Sequence, residues 1–188
     1  MKPMIVLLAL AACSRRATTS EPTATPVKVA ARPTSTEPSI YELGLTLRDT
    51  QGQRIGLDVN RGRPVLVTMF YASCHIACPV LIEDVRNTLA ALPPDVHVLL
   101  VSFDAARDTP AKLAELATAR GLDARWTLAA ADEPDARELA ATLGYKYRKL
   151  ETGEFFHSAL VVLLDEDGRP LARSDGMGQR AALVAALP

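Results

Sequence analysis

Two cysteines four positions apart, Cys74 and Cys78, are the residues of this chain best suited to do chemistry. They follow an apolar run at residues 65–71, and Pro79 comes directly after them. Proline is tolerated in the first turn of a helix, and it disfavours helical geometry in the residue before it. We therefore predict that Cys78 is the N-cap of a helix and that Cys74 lies in the loop ahead of it.

This placement decides which chemistry the two thiols can do. Inside a helix, residues four apart have Cβ atoms about 5–6 Å apart, whereas a disulfide needs about 3.5–4.5 Å. In a loop, Cys74 and Cys78 can close a redox-active disulfide or bind one soft metal ion together. A helix N-terminus would also favour the thiolate form of Cys78. A purely structural disulfide is a weak explanation, because so short a ring contributes little entropic stabilisation.

The N-terminal residues predict export and anchoring. Residues 1–12 combine Lys2 with a short apolar run that ends in Leu10-Ala11-Ala12-Cys13, which resembles the lipobox of a bacterial lipoprotein signal peptide. The alternative is an ordinary secretory signal in which Cys13 occurs by chance. We expect a lipidated Cys13, a flexible Thr/Pro-rich tether at residues 13–39, and one domain at residues 40–188. The protein would then be periplasmic or extracytoplasmic and held to a membrane through its lipid anchor.

Composition excludes several classes of partner. The formal net charge is −1, and acidic and basic residues are interspersed. We therefore predict that nucleic acid is not a partner, and no second apolar stretch predicts a membrane span. Export makes reduced thiols unusual, because oxidising compartments convert neighbouring cysteines to disulfides.

The order of the predicted elements indicates an α/β fold. We expect a thioredoxin-like fold, in which helices flank a central mixed sheet that is rich in parallel pairs, with an N-terminal β-hairpin. Its active pair would lie at the carboxyl end of a central strand. The predicted strands cover residues 43–49, 54–57, 65–71, 96–103, 126–130, 145–150 and 159–165, and the predicted helices cover residues 79–92, 110–121, 133–143 and 179–187.

A third candidate ligand, His157, directly precedes the strand at residues 159–165. If that strand lies beside residues 65–71, His157 can approach the two cysteines. The chain is here similar to the Sco (SenC) family of copper-binding thioredoxin-fold proteins, in its bacterial lipoprotein form. The matching segments are residues 62–71, the Cys74-x3-Cys78-Pro79 motif, residues 101–104 with Arg107-Asp108-Thr109-Pro110, residues 126–128, and Phe156-His157-Ser158 with residues 161–168.

The resemblance implies that Cys74, Cys78 and His157 bind one copper ion, as Cu(I) or Cu(II). Two thiolates select soft Cu(I), and an added imidazole also supports Cu(II). Zinc is an alternative with these ligand types. Asp104 or Asp108 could hydrogen-bond the second ring nitrogen of His157, or Asp108 could cap the following helix. Many family members have proline directly after the first cysteine. This chain has His75, which could be an exposed loop residue, an extra ligand or a proton relay.

Three functions follow from these residues. The leading hypothesis is a copper metallochaperone, not strictly an enzyme, whose partner is the CuA site of cytochrome c oxidase subunit II or a similar copper enzyme. The second is a thiol–disulfide reductant that keeps the cysteines of a copper acceptor reduced and has no need of His157. The third is a peroxidase, which we do not favour because the Thr-Pro lead-in typical of peroxiredoxin-like enzymes is missing.

Overall fold

The computed structural model describes residues 34–74 and 77–187, so the predictions for Cys13 and His75 concern residues outside these ranges. Two 3-10 turns cover Ile40–Leu43 and Leu57–Asn60. The strands and helices are β1 (Thr46–Asp49), β2 (Arg54–Gly56), β3 (Val65–Phe70), α1 (Ala77–Leu89), β4 (His97–Ser102), α2 (Pro110–Ala119), β5 (Trp126–Ala131), α3 (Glu133–Leu143), β6 (Tyr147–Lys149), β7 (Phe155–His157), β8 (Leu160–Leu164), β9 (Pro170–Asp175) and α4 (Ala181–Ala185).

One mixed sheet forms the centre of the domain, with the strand order β2-β1-β5-β4-β3-β8-β9. Only β3, β4 and β5 pair in parallel; β1 and β2 form an antiparallel hairpin, and β8 and β9 add to the sheet in antiparallel fashion. Every residue of β3 is buried, which explains its continuous apolar run. The prediction of a central mixed sheet flanked by helices is confirmed, although the parallel part is smaller than expected.

The start of α1 differs from the prediction. The helix begins at Ala77, so Cys78 lies inside its first turn instead of at the N-cap. The first turn leaves several N–H groups without a partner inside the helix, and Pro79 has no N–H to leave. Pro79 is therefore accommodated in the first turn. The prediction that Pro79 keeps Cys78 outside the helix is wrong.

Two short strands, β7 and β9, were not predicted. The three residues of β7 are too few to show a period, and β9 opens with Pro170 and contains polar residues. β7 pairs with β6 in an antiparallel two-stranded sheet that is separate from the central one. We call these two strands with their turn the β6–β7 hairpin. The last helix, α4, is also shorter than predicted.

The start of the domain is fastened to the turn between β8 and β9. The Ser35 N–H donates to Asp165 Oδ2 at 3.2 Å, and the Ile40 N–H donates to the Gly168 carbonyl at 2.9 Å. Gly168 has a φ of +80°, and a Cβ atom there would lie 2.5 Å from the Tyr41 ring, so glycine is needed. Residues 35–39, predicted as part of the tether, therefore contact the domain.

Candidate metal centre

The sheet brings the three predicted ligands to one end of β3. Cys74 lies in the loop that follows β3, and Cys78 lies in the first turn of α1. β8 pairs antiparallel with β3, so the residues just before β8 return to the carboxyl end of β3. His157 is the last residue of β7 and lies at this same point. The sequence predicted this position on the condition that the strand after His157 lies beside residues 65–71. Loop, helix and hairpin thus each supply one side chain.

The ligand atoms of Cys74, Cys78 and His157 all lie within 4.8 Å of one another. Cys78 Sγ and His157 Nε2 are 3.9 Å apart. Bonds of about 2.3 Å to sulfur and 2.0 Å to nitrogen, the lengths seen for zinc, together span about 4.3 Å. One soft metal ion between these two atoms could therefore bond both of them without a large movement.

The two cysteine side chains lie beside each other. The Cys78 N–H donates to Cys74 Sγ at 3.3 Å, so the sulfur of Cys74 satisfies one of the first N–H groups of α1. Cys78 is only 3 % exposed, and burial raises the pKa of its thiol above the ordinary value. Burial therefore outweighs the helix N-terminus, and the prediction of a favoured thiolate at Cys78 is wrong for the metal-free protein. A metal ion must displace a proton to bind there.

Hydrogen bonds at Nδ1 fix the orientation of the His157 ring. Nδ1 lies 2.9 Å from the Ser158 carbonyl, which can only accept, so Nδ1 carries the proton. Nδ1 also lies 2.8 Å from Tyr145 Oη, whose own hydroxyl donates to the Met69 carbonyl at 2.7 Å. Burial raises the pKa of Tyr145, which keeps the phenol protonated. Nε2 is thus left with its lone pair toward Cys78, as a metal ligand requires.

The two predicted acidic partners of His157 are bonded elsewhere. Asp104 forms an ion pair with Arg107. Asp108 Oδ2 accepts from the Ala72 N–H at 2.7 Å and from the Ser102 hydroxyl, and the cap of α2 is Thr109. Asp108 is buried at 1 % exposure, where it joins the cysteine loop to the end of β4. Neither carboxylate supplies the bond to Nδ1, and Asp108 is not the helix cap.

Buried aromatic rings surround His157, a feature that was not predicted from the sequence. Tyr71 meets the imidazole edge-on at a centroid distance of 5.7 Å, and Phe103 lies 5.9 Å away. Tyr145 stacks nearly parallel to it at 6.2 Å. These residues come from three separate segments, so no local spacing could have grouped them. They restrict the imidazole to one position and limit the access of water to the ligand atoms.

The fold and site together define a class: a thioredoxin-like domain with two thiols and one imidazole placed to hold a soft metal ion at the end of a central strand. The family model of SCO1/SenC matches residues 34–188, and the chain belongs to that family. No curated protein matches the chain. In the described residues, no helix has the length and apolar character that a membrane crossing requires.

Solved structures of similar fold include several family members. Arabidopsis thaliana ScoI with copper bound is 16 % identical, with a TM-score of 0.66 over 75 % of this chain and 91 % of that one. A SCO1/SenC family lipoprotein from Bacillus anthracis str. Ames is 17 % identical, with a TM-score of 0.67 over 75 % and 88 %. BsSco, described as having a disulfide switch and as a member of the Sco family of cytochrome c oxidase assembly proteins, is 20 % identical, with a TM-score of 0.63 over 74 % and 86 %.

Proposed function

We propose that this protein is an extracytoplasmic copper metallochaperone that binds one copper ion through Cys74, Cys78 and His157. The observation that carries the proposal is the convergence of these three ligand atoms within 4.8 Å. Two thiolates favour Cu(I), and the imidazole extends the site to Cu(II). A structural zinc site usually has four protein ligands, whereas three ligands suit an ion that is to be handed on. The copper-bound Arabidopsis relative has the same fold.

The copper would pass to the CuA site of a cytochrome c oxidase, or to a similar copper enzyme, by ligand exchange. His157 is half-buried and the two cysteines are buried, so an incoming thiol or imidazole reaches the His157 side first. It displaces His157 and then each thiolate in turn. Placement in oxidase assembly rests on the family, since BsSco is described as belonging to such assembly proteins.

Attachment to a membrane through a lipidated Cys13 is part of the same proposal. Its support is the Leu10-Ala11-Ala12-Cys13 segment, together with a family relative from Bacillus anthracis that is described as a lipoprotein. Several acyl chains on one residue anchor a protein stably, whereas a single chain binds marginally. Release of the protein from membranes after Cys13→Ser would test this attachment.

A second candidate function is reduction of the disulfide of a copper acceptor. The observation that favours it is the contact between Cys78 N and Cys74 Sγ at 3.3 Å, which keeps the two thiols next to each other. This activity would need both thiols but not the imidazole. A reduction potential well above those of electron-donating oxidoreductases would count against it.

The replacement His157→Ala separates the two candidates. We expect it to weaken Cu(I) binding at least about 100-fold, because loss of even an outer hydrogen-bonding partner of a ligand costs about 10–100-fold. The thiolate-to-Cu(II) absorption bands should also be lost, while disulfide formation between Cys74 and Cys78 survives. Competition titration with a Cu(I) chelator and absorption spectra measure these effects.

His97→Ala is the matched control. His97 opens β4 and its Nε2 contacts Arg63 at 2.7 Å, at the opposite end of the sheet from the cysteines. The His97→Ala variant should bind copper with the same affinity as the wild-type protein. Wild-type affinity in His157→Ala would refute the three-ligand site, and full reductase activity in the same variant would favour the second candidate.

A further inference from the structure

A groove between α1 and α2 leads from the surface of the domain to the two cysteines. Its outer part has a volume of about 340 Å³ and is lined by residues of α2 and of the cysteine loop. A narrow inner cavity of about 20 Å³ is lined by both Cys74 and Cys78. Ala72, Leu116 and Arg120 border both spaces, so the two spaces adjoin and form one groove that ends at the cysteines.

A hydrogen bond joins the two helices at the far end of this groove. Arg86 Nη2 in α1 donates to the carbonyl of Arg120, which directly follows the last residue of α2. Side chains on a helix lean toward its N-terminus. The Arg120 side chain accordingly lies along the groove toward the cysteine loop, where it borders both spaces. The groove is therefore already formed before any ligand enters it.

Charged side chains of both signs line the outer part of the groove. Lys112, Glu115 and Arg120 are exposed, and none of them forms an ion pair within the part of the chain that the structure describes. Asp108 lies deeper in the wall, at 1 % exposure. Two cationic groups thus stand beside two acidic ones. Such a wall suits a ligand that carries both an ammonium and a carboxylate group.

Two residues of the wall also have a buried polar atom that lacks a hydrogen-bond partner among the described residues. These atoms are Ser73 Oγ and Asp108 Oδ1. The other oxygen of Asp108 already accepts from the Ala72 N–H and from the Ser102 hydroxyl. Buried polar atoms without a partner are rare in native proteins. Their presence beside the cysteine loop indicates a place where a polar ligand binds.

We infer that this groove binds a low-molecular-mass thiol of the amino-acid type, which reduces a disulfide between Cys74 and Cys78. The carboxylate of the ligand pairs with Arg120 and Lys112, and its ammonium group pairs with Glu115. Its thiol then enters the inner cavity. The proposed export creates the need for this reaction, because an oxidising compartment converts neighbouring thiols to a disulfide, which cannot bind a metal ion. The inference stands whether or not the protein delivers copper.

The reaction is a thiol–disulfide exchange in two steps. The small thiol loses its proton and attacks the sulfur of Cys74, which is 9 % exposed against 3 % for Cys78. The bond between the two cysteines breaks, a mixed disulfide forms at Cys74, and Cys78 leaves as a thiolate that takes up the proton. A second small thiol attacks the sulfur of the first and releases Cys74 as a thiol. Two small thiols are thereby oxidised to one disulfide, and the protein gains two electrons and two protons.

The rate at which the oxidised protein is reduced tests the groove. The probe is L-cysteine, and the thiols that appear at Cys74 and Cys78 are counted by alkylation and peptide mass spectrometry. We expect the rate to saturate with L-cysteine concentration. Below saturation, Arg120→Gln should lower it about tenfold, because the carboxylate loses a charged partner. The bond to Arg86 uses the backbone carbonyl of residue 120, so this variant should fold.

Arg54→Gln is the matched control. Arg54 is also exposed and forms no ion pair with another described residue, but it lies in β2, at the far edge of the sheet. The substitution removes the same charge, so reduction by L-cysteine should proceed at the wild-type rate. Equal slowing by Arg54→Gln and Arg120→Gln would trace the effect to overall charge and overturn the inference.

Related small molecules separate the parts of the ligand. Cysteamine lacks the carboxylate, so Arg120→Gln should leave its rate of reduction unchanged. Glu115→Gln should slow L-cysteine several-fold but not 3-mercaptopropionate, which lacks the ammonium group. S-methyl-L-cysteine keeps both charges and has no free thiol, so it should inhibit reduction of the wild-type protein by L-cysteine through competition.

Two results distinguish this inference from the proposed function. Rates that rise linearly with concentration, and that are equal in the wild type and in Arg120→Gln for every thiol, would refute the groove as a binding site. Copper affinity of the reduced Arg120→Gln and Glu115→Gln proteins should equal that of the wild type, because neither residue is a candidate ligand. A wild-type protein that fails to bind copper but shows the Arg120-dependent reduction would refute the proposed function and leave the groove supported.

Discussion

The imidazole of His157 is positioned by atoms that a short sequence motif does not contain. Nδ1 is shared between Tyr145 Oη at 2.8 Å and the Ser158 carbonyl at 2.9 Å. The tyrosine hydroxyl is itself fixed, because it donates to the Met69 carbonyl in β3. A chain of hydrogen bonds therefore connects the central strand with the ring that faces Cys78. Such a chain sets the tautomer of the ligand before any metal ion arrives.

Removal of the Tyr145 hydroxyl should weaken the site without removing a ligand. We expect Tyr145→Phe to lower copper affinity about tenfold, the lower end of the range for outer hydrogen-bonding partners. The electron paramagnetic resonance spectrum of the Cu(II) form should change as well, because the imidazole is less restricted. Chelator competition and that spectrum are the measurements.

Tyr147→Phe is the control for this change. The Tyr147 hydroxyl is buried and has no hydrogen-bond partner in the described chain, while its ring stacks on Phe103. The same atom is removed from the neighbouring aromatic residue, so affinity should be unaffected. Equal copper affinity and identical spectra in both variants would show that the Tyr145 bond does not position His157.

At the scale of elements, the cysteine loop is joined to the sheet by one buried carboxylate. Asp108 lies ahead of α2, accepts from the Ala72 N–H two residues before Cys74, and accepts from Ser102 at the end of β4. Burial raises the pKa of Asp108 above its usual range, and its Oδ1 has no partner among the described residues. The position of the cysteine loop thus depends on the Asp108 carboxylate. Its burial is unfavourable in free energy, and its hydrogen bonds to Ala72 and Ser102 offset part of that free energy.

Loss of this carboxylate should destabilise the loop. Asp108→Ala leaves the Ala72 N–H and the Ser102 hydroxyl without their acceptor, which we expect to cost about 1–3 kcal/mol of unfolding free energy. Urea denaturation measures this cost, and copper affinity should fall as Cys74 becomes less well placed. Asp108→Asn keeps a carbonyl oxygen and removes the buried charge, so it should lose much less. An alanine variant as stable as the wild type would show that the bonds contribute nothing.

The same elements show which features of the fold and of the candidate site could be predicted from the sequence. The alternation of most strands and helices, and the hairpin of β1 and β2, followed from apolar periodicity. The approach of His157 to the cysteines depended on an assumed pairing of the strand after it with residues 65–71, and on the family resemblance. β7 could not be predicted, because three residues show no period. The Tyr145 bond depends on the register of the β6–β7 hairpin and on its packing against β3, both of which are tertiary features. The net effect on Cys78 was misjudged because burial is invisible in a motif.

For the molecule as a whole, the candidate metal site lies within residues 34–188, the segment that matches the family model. All three ligands, and the bonds that position His157, belong to this segment. The candidate ligands and the first described residues lie at opposite ends of the domain. The ligands lie past the carboxyl end of β3, and the first described residues bond to the turn between β8 and β9.

A protein that spans residues 34–188 should therefore bind copper as the full chain does, with equal stoichiometry and affinity in a chelator competition. A protein that begins at residue 41 is the contrasting variant. It lacks Ile40, which is only 1 % exposed, and the Ser39 hydroxyl that donates to the Asp167 carbonyl. Loss of the buried isoleucine alone should cost about 2 kcal/mol of unfolding free energy. Weaker copper binding by the protein that begins at residue 34 would mean that earlier residues contribute to the site.

The attachment of Ser35 and Ile40 to the β8–β9 turn has a practical consequence. β8 runs antiparallel to β3, so this turn lies beside Val65, and the length of β3, about 20 Å, separates it from the cysteines. An affinity tag, a fluorophore or a sensor chip coupled ahead of residue 34 would attach to the domain at the end opposite the cysteines. The end that carries Cys74, Cys78 and His157 would then face the solution, in the orientation that surface-based measurements of copper transfer require.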